Sequence, residues 1–470
     1  MTEREARAMG RMEPDVDMDD MAMEMDMDSA ADLEAAEDGD ILRLVRDEDV
    51  KFIRLAFTDL GGIPKNMAIM SSELRRALRE GIAFDASAVS GLTPIECSDL
   101  FLVPDCSTIS ILPWRPAHER VMRIACDVHN PDGSEFEAYS RSVLKKAVAR
   151  AVEMGYIVNI GTECEFFLFQ VGENGEPTLR PLDRGSYADV APLDKGENIR
   201  REICLALEEM GLEPECSHHE SGPGQNEIDF RYSDALSAAD HFMVFKMAVK
   251  AISAVNGAYA SFMPKPLEGE SGNGLHINIS LMRGGRNVFR AGGEHSEDGE
   301  SFIAGILARI REITAFLNPT PNSYERLGAF QAPKYVTWSH QNRSQLIRIP
   351  AASPEHVRME LRSADPGCNP YLAFAMVIHA GLDGIEQGMK LCPPCNENAL
   401  EIDDPSVEAL PSSLGEALAL ARGSELVHRA LPQRLLEEFF SLKEKELEEY
   451  AHTGVNERHN LEIKRYFRKL

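Results

Sequence analysis

The stretch GTECEFFLF, residues 161–169, decides how the rest of the chain is read. Extended backbone sends successive side chains to opposite faces, so Glu163 and Glu165 share one face while Cys164 and Phe166 take the other. Paired carboxylates on a strand with an apolar back are costly unless something cationic meets them. Three further segments repeat the design. In NGLHINISL (273–281), Leu275, Ile277, Ile279 and Leu281 line one face and His276, Asn278 and Ser280 the other. RMELRS (358–363) sets Arg358, Glu360 and Arg362 against Met359 and Leu361. ECSHHESGPGQNEIDF (215–230) adds Glu220 and Glu227 at an odd spacing. An unbroken strand would put those two on opposite faces, so Gly222-Pro223-Gly224 must turn the chain and re-aim one of them.

Five carboxylates and one imidazole are hard to borderline donors, suited to Mg2+ or Mn2+ rather than to a thiolate-bound zinc. Arg343, Arg348, Arg358 and Arg362 supply the fixed positive charge that a transferring phosphoryl group needs. Each segment alone also fits a solvated strand face or a satisfied histidine. All four together point to an ATP-dependent ligase.

Composition bounds the partners and the compartment. A chain of 470 residues can bury a large core, enough for two folded domains and a tail. The formal charge of −28 argues against nucleic acid and anionic membranes as partners. Residues 1–40 hold fifteen acidic side chains and three arginines, a net of −12, which leaves −16 for the rest. No run of about 18 apolar residues is present, and the acidic start lacks a signal-peptide layout, so a cytoplasmic protein is expected. Nine scattered cysteines are expected to be reduced thiols, and Cys392-Pro-Pro-Cys395 lacks the neighbours of a zinc or thioredoxin-like site.

The run MDDMAMEMDMD (18–28) cannot bury a core, and residues 1–40 are expected to be a disordered tail. From residue 41 to 134 the pattern is a small mixed domain. KFIRLAFTD (51–59) alternates Ile53, Leu55 and Phe57, and Gly61-Gly62 turns it into a hairpin. SSELRRALREG (71–81) is a serine-capped helix, with strands expected at TISILPW (108–114) and VMRIACDV (121–128). Residues 135–470 open with a helix at 140–155, capped by Ser140. Strands bearing the polar faces then alternate with helices at 196–211, 237–257, 300–317 and 369–389, and the last 60 residues are helical. Ligand-bearing strands with helices packed outside predict an α+β domain with a mainly antiparallel sheet. No Walker A loop is present, so any nucleotide must bind in another way.

These residues resemble the glutamine synthetase family, of the bacterial type I that is not adenylylated, from about residue 45 to the C-terminus. The resemblance rests on FDASAV (84–89), GTECEFF, SHHESGPGQNE, FMPKPL (262–267), GNGLH, NPTPNSYERL (318–327), NRSQLIRIP (342–350) and RMELRSADPGCNPYLAFA (358–375). It implies a β-grasp domain before the catalytic domain, and ATP-dependent ligation of glutamate and ammonia through a γ-glutamyl phosphate. It implies two Mg2+ or Mn2+ ions per site, one held by Glu165, Glu220 and Glu227, the other by Glu163, His276 and Glu360. Arg326 and Arg362 fall at positions for the amino-acid substrate, with Ser271 and Gly272 in its loop. Arg343 and Arg348 fall against the ATP phosphates and the transferring group. Glu215, Asn278 and Ser280 take nucleotide-contact positions. Asp85 matches the ammonium-site aspartate that reaches into a neighbouring subunit, which implies a homo-oligomer, usually a dodecamer of two stacked hexameric rings.

Three departures fall at the acceptor end. In RLGAFQAP (326–333) the flap carries Gln331 where relatives commonly have glutamate, Ser271 replaces the usual asparagine, and Ala86-Ser87-Ala88 follows Asp85. Glutamine cannot take a proton from ammonium. A γ-glutamyl-amide ligase using another amine is therefore the alternative reading, and a non-catalytic ring-forming homologue with a regulatory or structural role is the alternative of another class. The tyrosine adenylylated in some members is missing from NENALEIDD (396–404), and no arginine for glutamine feedback stands near Thr93-Pro94.

Overall fold

The computed structural model describes residues 39–289, 296–353 and 356–470. The expected disordered tail lies outside these residues except for Gly39 and Asp40, which begin a helix that runs to residue 47.

Ile53, Leu55 and Phe57 of β1 (Val50–Thr58) are buried as the alternation requires. The chain returns in β2 (Pro64–Met70), paired antiparallel to it. With β3 (Ile82–Asp85), β4 (Asp99–Pro104), β5 (Ser110–Ile111) and β6 (Arg120–His129) they form a sheet of order β2-β1-β6-β4-β3, β5 pairing with β6. β1 and β6 are parallel. The helix Leu74–Glu80 buries Leu74 and Ala77 and completes a β-grasp arrangement.

Two local expectations fail here. Ser71 caps nothing: residues Ser71–Glu73 form a 3-10 turn, and the helix starts at Leu74 without a side-chain cap. TISILPW is strand only at Ser110–Ile111. The Asp105 carboxylate accepts from Ser107 N at 3.1 Å and Ser107 Oγ at 2.6 Å, which winds Cys106–Thr108 into a 3-10 turn.

The second sheet is built around β7 (Ile157–Val171). Its path is β15-β16-β17-β13-β7-β10-β9: Trp338–His340, Ile347–Ile349, Met359–Leu361, Leu275–Arg283, then β7, Gln225–Phe230 and Pro214–His219. β8 (Pro177–Pro181), β11 (Ser233–Asp234) and β12 (Ala258–Ser261) also pair with β7, and β14 (Arg286–Asn287) with β13. All pairings are antiparallel except β15 with β16. One face is dry: Cys164, Phe166, Ile228, Ile277, Met359 and Leu361 are fully buried. The helix Ala235–Val255 lies under it, with Phe245 edge-on to Phe166 at 6.0 Å. Outside that, Glu297–Leu317 and Pro370–Glu386 pack so closely that a Cβ on Gly384 would stand 2.0 Å from Ser301 O.

The helix expected from Ser140 runs over Ser140–Glu153 and ends before Gly155, whose φ is +84°. Ser140 does not cap it; its Oγ lies 3.4 Å from Thr58 Oγ1. The helix start is buried because Arg141, 1% exposed, reaches Asp105 at 2.6 Å, Asp127 at 2.5 Å and Asp240 at 2.8 Å. Two of these aspartates belong to the first sheet's domain and the third to the helix under the second, so one guanidinium clamps the two together. Burial opposes its charge, but Asp240 and then Asp127 hold its pKa above the ordinary value.

None of the nine cysteines forms a disulfide. Cys392 O accepts from Trp338 Nε1 and Cys395 N donates to Trp338 O, both at 2.8 Å, so the C-x-x-C loop braces β15.

Candidate active site

Strand register gathers the polar faces. Glu163 stands opposite His276 on β13 and Asp229 on β10. Glu165 stands opposite Glu227, which in turn faces His218 on β9. Glu360 lies between Asn278 on one side and Arg348 on the other. Since side chains alternate, one register puts all of them on the same side of the sheet. Glu220 joins them because β9 and β10 are a hairpin: Glu220 N donates to Gln225 O at 2.8 Å, which returns its side chain to the Glu227 face.

Glu163, His276 and Glu360 each place a ligand atom within 4.8 Å of the others. His276 Nδ1 is 3.0 Å from Glu163 Oε2 and 3.5 Å from Glu360 Oε1. Asn278 Nδ2 donates to Glu163 at 2.9 Å, and Asn278 Oδ1 accepts from Arg358 Nε at 2.9 Å. Arg348 and Arg362 take the two oxygens of Glu360 at 2.6 and 2.5 Å. Burial would raise the Glu163 carboxyl, but the His276 bond and charge, the Asn278 bond and Arg358 hold it at about 2.

The other expected trio is arranged differently. His218, rather than Glu165, stands within 4.8 Å of both Glu220 and Glu227. Glu165 is drawn aside by Gly274 N at 2.7 Å and Gln225 Nε2 at 3.0 Å, while staying in register with Glu227. Burial, then the charges of Glu165 and Asp229, push Glu227 well above the usual carboxylate range. Burial, then Glu163, pushes Asp229 up to about 7. Carboxylates crowded on the polar face in this way fit a hard divalent cation, and this donor set can hold one.

Beside that trio, Arg326 ends the helix Pro321–Arg326 and is buried, donating to Ser363 O at 2.8 Å and Arg362 O at 3.2 Å. The glycines opposite it are required. A Cβ on Gly272 would meet Pro264 O at 2.5 Å, and one on Gly274 would meet Arg326 Nη2 at 2.6 Å. Ser271 Oγ donates to Gln225 Oε1 at 2.5 Å.

At the other end, Glu163, Glu215, Asn278, Ser280 and Arg358 line one cleft of about 800 Å³. Arg348 is lowered from the usual guanidinium range by burial and then by the charges of Arg343 and Arg362. Arg343 itself is exposed.

Two expected residues stand apart from this cluster. Asp85 is exposed at the end of edge strand β3, its carboxylate accepting from Ser87 N at 3.0 Å and Ser87 Oγ at 2.6 Å. Gln331 is exposed next to Phe330, which adopts φ +54° under Lys265 Nζ, 4.7 Å from the ring centroid. Sequence reading passed over His218, Gln225 and Asp229. Counting in twos along β9 and β10 from Glu220 and Glu227 would have found all three.

A mixed β-grasp sheet joined to an antiparallel sheet with one carboxylate- and arginine-lined face fits the class of enzymes that transfer phosphoryl groups with divalent metal ions. Comparison with known proteins supports this. Residues 137–466 match the family profile for the glutamine synthetase catalytic domain, and residues 49–131 that for the glutamine synthetase beta-grasp domain. The glutamine synthetase of Methanosarcina mazei is 46% identical over 440 residues, spanning 92% of this chain and 98% of that one. That of Clostridium saccharobutylicum is 45% identical over 443 residues, with the same shares. That of Staphylococcus aureus is 42% identical over 428, spanning 89% and 96%. Of solved structures, a GmaS–ADP complex superposes with a TM-score of 0.81 at 30% identity, over 89% of this chain and 98% of that one, and ligand-free GmaS fits equally well. The chain belongs to the glutamine synthetase family.

Proposed function

We propose that this enzyme makes glutamine from glutamate, ammonia and ATP. A γ-carboxylate oxygen of glutamate attacks the γ-phosphorus of ATP, releasing ADP and leaving γ-glutamyl phosphate. The nitrogen lone pair of ammonia then forms the amide bond at the γ-carbon, the nitrogen gives up one proton to solvent, and phosphate departs with the electrons of the broken C–O bond. In this reading Glu163, His276 and Glu360 hold one Mg2+ or Mn2+, and Glu165, Glu220 and Glu227 the other. Such ions neutralise phosphate charge and orient the acceptor carboxylate. Arg326 and Arg362 bind glutamate with the Ser271-Gly272 loop. Arg343 and Arg348 steady the phosphates, and Glu215, Asn278 and Ser280 hold the nucleotide.

The observation that carries the reading is the single polar face on which all six metal-ligand candidates stand, with Glu163, His276 and Glu360 already within 4.8 Å. Phosphate release with Mg2+, ATP, glutamate and ammonia tests it. No release with ammonia or any amine would instead favour a non-catalytic ring-forming protein. The family resemblance gives the exposed Asp85 a role in another copy's site, and the active form is proposed as a homo-oligomer, a dodecamer of two rings. Among the described residues no helix is long and apolar enough to cross a membrane, and the cytoplasm is the proposed location.

A second reading has its own observation. Gln331 puts a neutral amide, beside the exposed Phe330 ring, at the flap position where the family resemblance implies that a glutamate is common. That favours a larger amine as acceptor and a γ-glutamyl-amide as product. Phosphate release compared across ammonia, methylamine, ethanolamine and putrescine decides between the two.

A further inference from the structure

Away from the polar face, the C-terminal segment crosses the helix that carries Arg326. Glu325 on the helix Pro321–Arg326 meets His459 and Glu462 on the helix Arg458–Glu462, and one ligand atom of each lies within 4.8 Å of the others. Two atoms there have unmet needs. Glu462 is 1% exposed; its Oε2 accepts from Asn322 Nδ2 at 2.9 Å, while its Oε1 is buried with no hydrogen-bond partner among the described residues. His459 Nδ1 is likewise buried and, among the described residues, without a hydrogen-bond partner. A buried carboxylate oxygen and a buried imidazole nitrogen without hydrogen bonds are rare in folded proteins, and such orphans call for an explanation.

We propose that Glu325, His459 and Glu462 bind one divalent cation of the borderline class, Zn2+ or Co2+, that staples the C-terminal helix to the Arg326 helix. One imidazole and two carboxylates are the donor types that such ions accept, and three protein ligands leave a position for water. The ion supplies the partner that Glu462 Oε1 lacks. It also offsets the repulsion between Glu325 and Glu462, which together with burial pushes Glu462 up to about 7. The position has a structural purpose. Asn322, bonded to Glu462, also accepts from Lys265 N at 2.7 Å and donates to Lys265 O at 3.1 Å. Lys265 opens the loop that ends at Ser271 and Gly272, so the staple fixes the wall of the proposed glutamate pocket from behind.

The test uses the full chain in its assembled form, because the proposed catalytic ions are divalent too. Co2+ bound at equilibrium is counted per chain, with and without saturating Mg2+, in wild type, His459→Ala and Glu462→Gln. The expected result is one Co2+ per chain that survives Mg2+ in wild type and is missing from both variants. Basal phosphate release in Mg2+ alone should be unchanged in His459→Ala. Zn2+ should raise the melting temperature of Mg2+-saturated wild type and leave both variants unmoved, as ligand linkage requires. Equal Co2+ stoichiometry in all three proteins overturns the proposal, as does a Zn2+ shift that persists in the variants. Neither result bears on the catalytic reading, which stands or falls on phosphate release in Mg2+.

Discussion

The two ends of the proposed reaction are built from different material. At the phosphoryl end, Glu163, His276, Glu360, Asn278 and three arginines are cross-bonded on paired strands of one sheet. At the acceptor end, Asp85 sits on an edge strand and Gln331 in an exposed turn, neither joined to that network. Strand register fixes the first within one chain. In the proposed reading the second depends on a neighbour and a flap, so there a single side chain would change which nucleophile is accepted while phosphoryl transfer stays intact.

The contrast can be broken most severely at the phosphoryl end. Glu163→Gln and Glu165→Gln each remove a proposed metal ligand from the polar face and should lower kcat by roughly 10³-fold. Wild-type turnover in either variant, measured as phosphate release at saturating Mg2+, would remove the metal assignment.

Next in size is the clamp between the two domains. Arg141→Ala leaves Asp105, Asp127 and Asp240 facing one another without their cation, and should cost about 3–5 kcal/mol of stability. Urea unfolding measures it. A change under 1 kcal/mol would mean that the aspartates find other partners.

Asp85→Asn keeps the Ser87 bonds but removes the charge that would attract ammonium. Ammonia-dependent turnover should fall about 10²-fold. If instead glutamate-independent ATP binding weakens as much, Asp85 does not belong to the acceptor end. The smallest effect is expected at the flap. Gln331→Glu restores a carboxylate and should favour ammonia over methylamine by about tenfold, with the Km for ATP unchanged. An unchanged ratio would show that the flap does not select the acceptor.

Much of the phosphoryl end was legible because alternation is a strict rule: once β7 is extended, the side on which Glu163 and Glu165 lie follows from counting. The same count places His218 and Asp229 on that side as well. The Glu165 side chain was not legible. Its direction is set by Gly274 N and Gln225 Nε2, more than fifty residues away in sequence. Caps failed for a related reason. Ser140 has the right chemistry for a helix start, but the adjacent Arg141 draws that start into a buried junction with aspartates from three segments. Local pattern reports what a residue can do, and tertiary partners decide which option is used.

Gln225 carries one more consequence. Its amide nitrogen donates to Glu165 at 3.0 Å and to Gly272 O at 3.1 Å, while its oxygen accepts from Ser271. Whatever shifts the Ser271-Gly272 loop must therefore pull on Glu165, a proposed metal ligand. Thermodynamic reciprocity then applies: by whatever factor glutamate tightens the ion, the ion must tighten glutamate, and Gln225→Ala should uncouple the two affinities without abolishing either.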